Sequence, residues 1–140
     1  MSYQRLTIVG HLGRDPEMRY TPDGTPVTNF SVATNRRWTN PDGSQGEETV
    51  WFRVTAWRRL AETCNQYLQK GRQVLVEGRL RPDPATGGPR IFTRSDGTVG
   101  AAYEVTAINV RFLGRPGEVA PAEMPGAVEE PPVEEEEIPF

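Results

Sequence analysis

Cysteine, histidine and lysine are nearly missing from this 140-residue chain, which has one of each: Cys64, His11 and Lys70. A single cysteine excludes a disulfide framework and a cysteine-based zinc site. A single histidine leaves no Ser/His/Asp or Cys/His arrangement to assemble, and His11 reads as a residue at a strand end. No Walker lysine motif occurs, and no GxGxxG follows a strand. No apolar run approaches the ~18 residues of a membrane-spanning helix. Met1–Arg5 has no signal-peptide core, so a cytoplasmic location is expected. Apolar residues make up only 36% of the chain. The length still allows one ordinary core without metal or disulfide staples. No metal and no cofactor is expected, and the chain is expected not to be an enzyme.

Basic residues are absent after Arg115, and this gives the net charge of −3 its meaning. Through Arg115 the chain carries +5; from Pro116 to Phe140 it carries −8. The pI near 5.3 is therefore an average over a basic working region and an acidic tail. Fifteen of the sixteen basic residues are arginine. Arginine suits phosphate and base-face contacts better than lysine, although a coding bias explains the count equally well.

Apolar alternation predicts a strand over Arg5–Leu12, with Leu6, Ile8 and Leu12 in one parity and Gly10 where the strand can bend. Met18–Tyr20 reads as a short strand, Val27–Thr34 as a longer one, and Thr49–Trp57 as a third major strand. Pro22-Asp23-Gly24, Pro41-Asp42-Gly43 and Asp96-Gly97 mark turns. A helix is predicted from Arg58 to Lys70, where Leu60, Ala61, Cys64, Tyr67 and Leu68 make an apolar stripe and Gly71 stands past the end. Cys64 on that stripe reads as a small buried hydrophobe. Gln73–Arg81, an Ile91–Arg94/Val99–Ala102 hairpin and Tyr103–Leu113 complete the strands. An all-β chain with one helix and long hairpins is compatible with a five-stranded Greek-key barrel of the OB-fold kind, over residues 1–114. Residues 115–140 are rich in proline and glutamate and poor in β-branched residues, so they are expected to be disordered.

The Thr49–Trp57 segment carries the sharpest chemistry. Trp51, Arg53, Thr55 and Trp57 share one parity, opposite Val50, Phe52, Val54 and Ala56. Two indoles flanking a cation offer flat surfaces for unstacked bases and a hold on phosphate. The same two tryptophans equally suit a second core beneath the helix, or an interface. Arg36, Arg37 and Trp38 in one hairpin, and Arg90, Phe92 and Arg94 in the other, repeat the pairing of cations with an aromatic. Such a distributed site suits a single-stranded nucleic acid, where no groove has to be read. Glu47-Glu48 read as a solvated face. At the chain end, Glu134, Glu135, Glu136 and Glu137 precede Ile138, Pro139 and Phe140. An acidic run ending in an apolar tripeptide has the make-up of a docking tip for a basic-rimmed pocket.

With these residues in view, the chain resembles the bacterial single-stranded DNA-binding protein family. The likeness is carried by Val9-Gly10-His11-Leu12-Gly13-Arg14-Asp15-Pro16-Glu17, Phe30-Ser31-Val32-Ala33-Thr34, Trp51-Phe52-Arg53-Val54, Tyr67-Leu68-Gln69-Lys70-Gly71 and the Ile138-Pro139-Phe140 tip. The resemblance implies an OB-fold core that assembles as a homotetramer, is nucleoid-associated and wraps single-stranded DNA without sequence preference. It implies base stacking on Trp38, Trp51, Trp57 and Phe92. Phosphate contacts are expected from Arg36, Arg37, Arg53, Arg79, Arg81, Arg90 and Arg94. It also implies that the tip recruits replication, recombination and repair proteins. An accessory protein that uses the same fold mainly to bind protein, and a β-barrel hydrolase, are the alternatives from other classes.

Overall fold

The computed structural model describes residues 1–114; the acidic tail and its Glu134–Phe140 tip lie outside the described residues. Seven strands and one helix follow one another as β1 (Leu6–Leu12), β2 (Glu17–Tyr20), β3 (Pro26–Thr39), β4 (Gln45–Trp57), α1 (Arg59–Tyr67), β5 (Gln73–Leu80), β6 (Arg90–Thr93) and β7 (Val99–Phe112). Along β1, Ile8 and Leu12 turn inward while Thr7 and Val9 stay exposed, as a period of two requires. The other barrel strands contribute Val32, Val54, Val74, Val76 and Val105, all essentially buried. Valine fits a crowded pleated surface because its branched Cβ restricts the side chain to few rotamers.

Pairing runs β1–β5–β7–β4–β3 and returns from β3 to β1, which closes five strands into the expected barrel. The return contact is short, His11↔Ala33 and Leu12↔Val32. It depends on Gly10: a Cβ there would stand 2.1 Å from the Ala33 carbonyl oxygen. The β4–β7 pairing is parallel, from Phe52↔Tyr103 to Thr55↔Thr106, while all other pairs are antiparallel. On β7, Ile108 has no partner, since the register steps from Glu77↔Asn109 to Gly78↔Ala107. This bulge bends β7 around the barrel.

Helix α1 closes one end, with Ala61 and Cys64 buried and Leu68 just beyond it in the same core. Thr28, fully buried on β3, satisfies its hydroxyl by donating to the Ala61 carbonyl at 2.7 Å. The helix stops at Tyr67, three residues short of the sequence expectation. Backbone donors beyond that point are committed elsewhere: Lys70 N–H to Asp15 Oδ1 at 2.8 Å, and Gly71 N–H to the Leu12 carbonyl at 2.9 Å.

Two hairpins extend from the barrel as arms, the outer halves of β3–β4 and the β6–β7 pair. Each turns through a three-residue loop, closed by Asn40 N–H to the Ser44 carbonyl at 2.8 Å and Arg94 N–H to the Thr98 carbonyl at 2.7 Å. Gly43 and Gly97 take the left-handed conformation these loops need, at φ of 87° and 89°. Asp42 and Asp96 brace the loops, accepting N–H bonds from Ser44 and Thr98 at 2.9 Å each.

Candidate nucleic-acid interface

Residues directly opposed across a ladder share a face, so the register decides which side chains meet. On β3–β4, Ser31 opposes Arg53, Ala33 opposes Trp51 and Val27 opposes Trp57. Across the parallel pair, Arg53 stands beside Glu104 and Thr55 beside Thr106. Arg79 of β5 opposes Thr106, and the Arg81 N–H donates to the Glu104 carbonyl at 2.8 Å. Arg90 and Phe92 of β6 oppose Ala102 and Gly100, in the same β7 parity as Glu104. One outer sheet face therefore gathers Trp51, Arg53, Trp57, Arg79, Arg90 and Phe92 from three strands, β4, β5 and β6. Arg37 joins it through its pairing with Glu47, and Arg94 continues the β6 alternation.

Trp38 and Arg36 fall elsewhere. Their parity is that of Phe30 and Val32, which face the barrel interior, so on the arm they occupy the opposite ribbon face from Trp51. The sequence-predicted aromatics thus form two groups, not one row.

Trp51 and Trp57 are half-buried and six residues apart, about 20 Å along the strand. They do not join the barrel core, and the Trp51 Nε1–H is buried with no acceptor among the described residues. Between them Arg53 borders a small cleft lined also by Arg14, Asp15, Glu17, Asn29 and Ser31. Asn29 accepts a hydrogen bond from Thr55 Oγ1 at 2.9 Å. On the arms, the Trp38 Nε1–H donates to Asn40 Oδ1 at 2.9 Å, and the Arg36 guanidinium carbon stands 4.8 Å from the indole centroid. Arg94 stands 5.3 Å from the Phe92 centroid and donates through Nη1 to the Val99 carbonyl at 3.0 Å.

Several of the arginines are already engaged. Arg36 pairs with Glu48 and Arg37 with Glu47, each at 3.3 Å and each with its directly opposed residue. Glu47 and Glu48 are therefore ion-pair partners as well as a solvated face. Arg90 lies 3.7 Å from Glu104, whose side chain is only 11% exposed. A carboxylate this buried in a face rich in arginine was not foreseen from the sequence. Neither were Asn29 or the cross-strand glycines Gly46 and Gly100. Counting outward from the Asp42-Gly43 and Asp96-Gly97 turns would have found both glycines, since the turn fixes the register.

The groups considered for chemistry occupy other places. His11 is half-buried on β1, and desolvation lowers its pKa. Burial pushes the Cys64 thiol up to about 12, which leaves it inert as a nucleophile. Among the described residues, no three His, Cys, Asp or Glu side chains are grouped so as to hold a metal ion.

Residues 3–113 match the family model for the single-strand binding protein family. A single-stranded DNA-binding protein of Neisseria meningitidis is 41% identical over 114 residues, which is 81% of this chain and 62% of the relative. Single-stranded DNA-binding protein 1 of Chlorobaculum tepidum is 39% identical over 114 residues, 79% of this chain and 64% of the relative. The chain thus spans less than two thirds of the length of these two relatives. Single-stranded DNA-binding protein 1 of Xylella fastidiosa is 37% identical over 115 residues and is covered to 79%. Among solved structures, a chain described as Plasmodium falciparum SSB complex with ssDNA superposes with a TM-score of 0.66 at 23% identity, covering 81% of this chain and 97% of the other. At that identity the likeness concerns the fold.

Proposed function

The chain belongs to the single-strand binding protein family, and from this premise we propose that it binds single-stranded DNA without sequence preference and without turnover. The observation that carries the reading is the outer sheet face on which Trp51, Arg53, Trp57, Arg79, Arg90 and Phe92 converge from three strands. Bases stack on Trp51, Trp57 and Phe92, and on Trp38 where the strand reaches the first arm. Each stacked base contributes about 1–3 kcal/mol, and every base has a face to offer. Arg36, Arg37, Arg53, Arg79, Arg81, Arg90 and Arg94 supply the attraction for phosphate. Exposed pairs such as Arg36–Glu48 are worth only about 0–1 kcal/mol, so a phosphate displaces their glutamates at little cost.

Oligo-dT titration of tryptophan fluorescence tests the reading. Strong quenching is expected with oligo-dT and little with duplex DNA. Affinity should fall as salt rises, with about 0.7 counterions released per phosphate contact on a single strand. Equal quenching by duplex and single strand would defeat base stacking as the mode of binding. Shortening of a labelled oligonucleotide on incubation would defeat the reading of a protein that binds without turnover.

The proposal extends to the whole chain. It assembles as a homotetramer in the cytoplasm, protects single-stranded DNA during replication, recombination and repair, and recruits partner proteins through Glu134–Phe140. The tip's acidic run and terminal Ile138-Pro139-Phe140 support the last point. Removal of residues 134–140 should abolish partner capture and spare oligo-dT affinity; capture by the truncated chain would refute it. A solution mass other than four chains would refute the tetramer.

A further inference from the structure

Four glycines of the described residues lie where a Cβ would come within 3 Å of another residue and yet have ordinary, negative φ: Gly10, Gly46, Gly78 and Gly100. Backbone conformation does not demand glycine at any of them, so space is the reason for it. At Gly10 and Gly78 the space is taken by a neighbouring strand, through the carbonyl oxygens of Ala33 and Thr106. These two belong to barrel closure and the bulge.

Gly46 and Gly100 differ. A Cβ on Gly46 would stand 2.3 Å from Trp38 Cε2 and 2.4 Å from Nε1. A Cβ on Gly100 would stand 2.8 Å from Phe92 Cζ and 2.5 Å from Arg94 Nη2. Both are direct cross-strand partners of the aromatic they meet, Trp38↔Gly46 and Phe92↔Gly100. In both arms an arginine two residues from the aromatic places its guanidinium over the ring, Arg36 within β3 at 4.8 Å and Arg94 just past β6 at 5.3 Å. The same three-part arrangement occurs on two hairpins that are remote in sequence.

We propose that Gly46 and Gly100 are positioning residues for single-stranded DNA binding: each is a seat that lets an aromatic ring lie across its own hairpin and keep a face open to a planar partner. The inference rests on the base-stacking reading and assigns the arms a role in it. A glycine opposite an aromatic leaves a hole in the ladder surface that the ring covers, which removes most of the ring's rotamer freedom before any base arrives. The guanidinium over each ring shows that the face accepts a flat, cationic or π-bearing group. A side chain at either glycine would lift the ring off this seat.

The test uses the full chain with G46A, G100A and, as a control, G88A, where a Cβ would meet only Thr86 Oγ1 at 3.7 Å. Alanine on a strand with ordinary φ does not weaken the ladder, so melting temperatures should stay near wild type. Oligo-dT affinity should fall about tenfold in G46A and in G100A, as it does on loss of one stacked base, and be unchanged in G88A. G46A should add nothing in a W38A background, since the glycine acts only through that ring. Wild-type affinity in G46A, or an undiminished further loss on top of W38A, would overturn the proposal. A second readout needs no DNA. The Trp38 indole N–H resonance, set by its bond to Asn40, should move in G46A and stay in G88A; an unmoved resonance would overturn the seat. A wild-type chain that failed to bind oligo-dT would instead defeat the stacking reading, and the indole resonance would still decide whether the seat exists.

Discussion

In the barrel, Gly10 and Gly78 face carbonyl oxygens of adjacent strands at 2.1 and 2.2 Å, and the side chains around them are buried valines; in the arms, Gly46 and Gly100 face aromatic rings, and their neighbours along the strand, Gln45 and Glu47 or Val99 and Ala101, are exposed. The barrel is held by burial, and each fully buried valine contributes about 1.5–3 kcal/mol relative to exposure. The arms bury little. Register holds them instead, set by a braced turn in each and, in the β3–β4 arm, by charge pairs directly across the ladder. The lesson is a division of labour among these glycines: Gly10 and Gly78 serve barrel closure, and Gly46 and Gly100 serve the rings that the arms present.

The largest expected effect breaks this comparison on the barrel side. Gly10→Ala forces a methyl against the Ala33 carbonyl, a backbone atom that cannot swing away. The β1–β3 contact that closes the barrel must open or shift, at a cost of about 1–3 kcal/mol or more. Urea melts should show the unfolding free energy lowered by that amount, and the midpoint lowered in proportion. Oligo-dT affinity per folded molecule should change little, because no stacking ring stands against Gly10. If G10A melted like wild type while G46A melted early, the assignment of closure to the barrel glycines and presentation to the arm glycines would be reversed.

This division also explains what the sequence disclosed. Apolar alternation in Leu6–Leu12, Val27–Thr34, Thr49–Trp57 and Gln73–Leu80 marks strands that bury one face, so the barrel was legible. The arms were legible as hairpins from their Asp-Gly turns, but the extent of the first was not: β3 runs on to Thr39 and β4 begins at Gln45, through residues with no apolar period. Arg36–Glu48 and Arg37–Glu47 do there what packing does elsewhere, and pairing across a ladder has no one-dimensional signature. Trp51 and Trp57 were placed on one face from parity alone, which the register bears out. Trp38 was read as part of a separate cluster on the hairpin, and the register sets it on the ribbon face opposite Trp51. The helix end was misjudged because the competing acceptors, Asp15 and the Leu12 carbonyl, lie more than fifty residues away.

A smaller effect sharpens the comparison within the arms. If Glu47 and Glu48 hold Arg37 and Arg36 in register and compete with phosphate, then E47Q/E48Q should release both cations. Each exposed pair is worth at most about 1 kcal/mol, so the arm loses little stability. Oligo-dT binding should tighten by about three- to tenfold at low salt, and the salt slope should steepen by roughly one as two more arginines meet phosphate. Unchanged affinity and slope would mean that the two arginines serve the hairpin alone.

The smallest effect concerns the turns that fix each register. The Ser44 hydroxyl donates to Asp42 Oδ1 at 2.6 Å and its backbone N–H at 2.9 Å, and these bonds hold the Asp42 carboxyl below its ordinary value of 3.8. Thr98 does the same for Asp96. A carboxylate with a depressed pKa in the folded state contributes stability that is present above the unfolded value and is lost as pH falls through the folded one. The turns should therefore be indifferent to pH from neutrality down to about pH 4 and loosen only below that. The barrel strands, whose core holds no carboxylate, should show no such step. Hydrogen exchange of the Ser44 and Thr98 amides, followed against pH in wild type and D42N, separates these responses. D42N should exchange faster than wild type at Ser44 at pH 6, with Thr98 as the internal standard. The two chains should converge at Ser44 only at a pH low enough to protonate the wild-type carboxyl, below its ordinary value of 3.8. A gap at Ser44 that persisted at that pH would show that the turn is braced by shape and not by charge. The register of the arms, and with it the position of Trp38 over Gly46, would then be independent of acid.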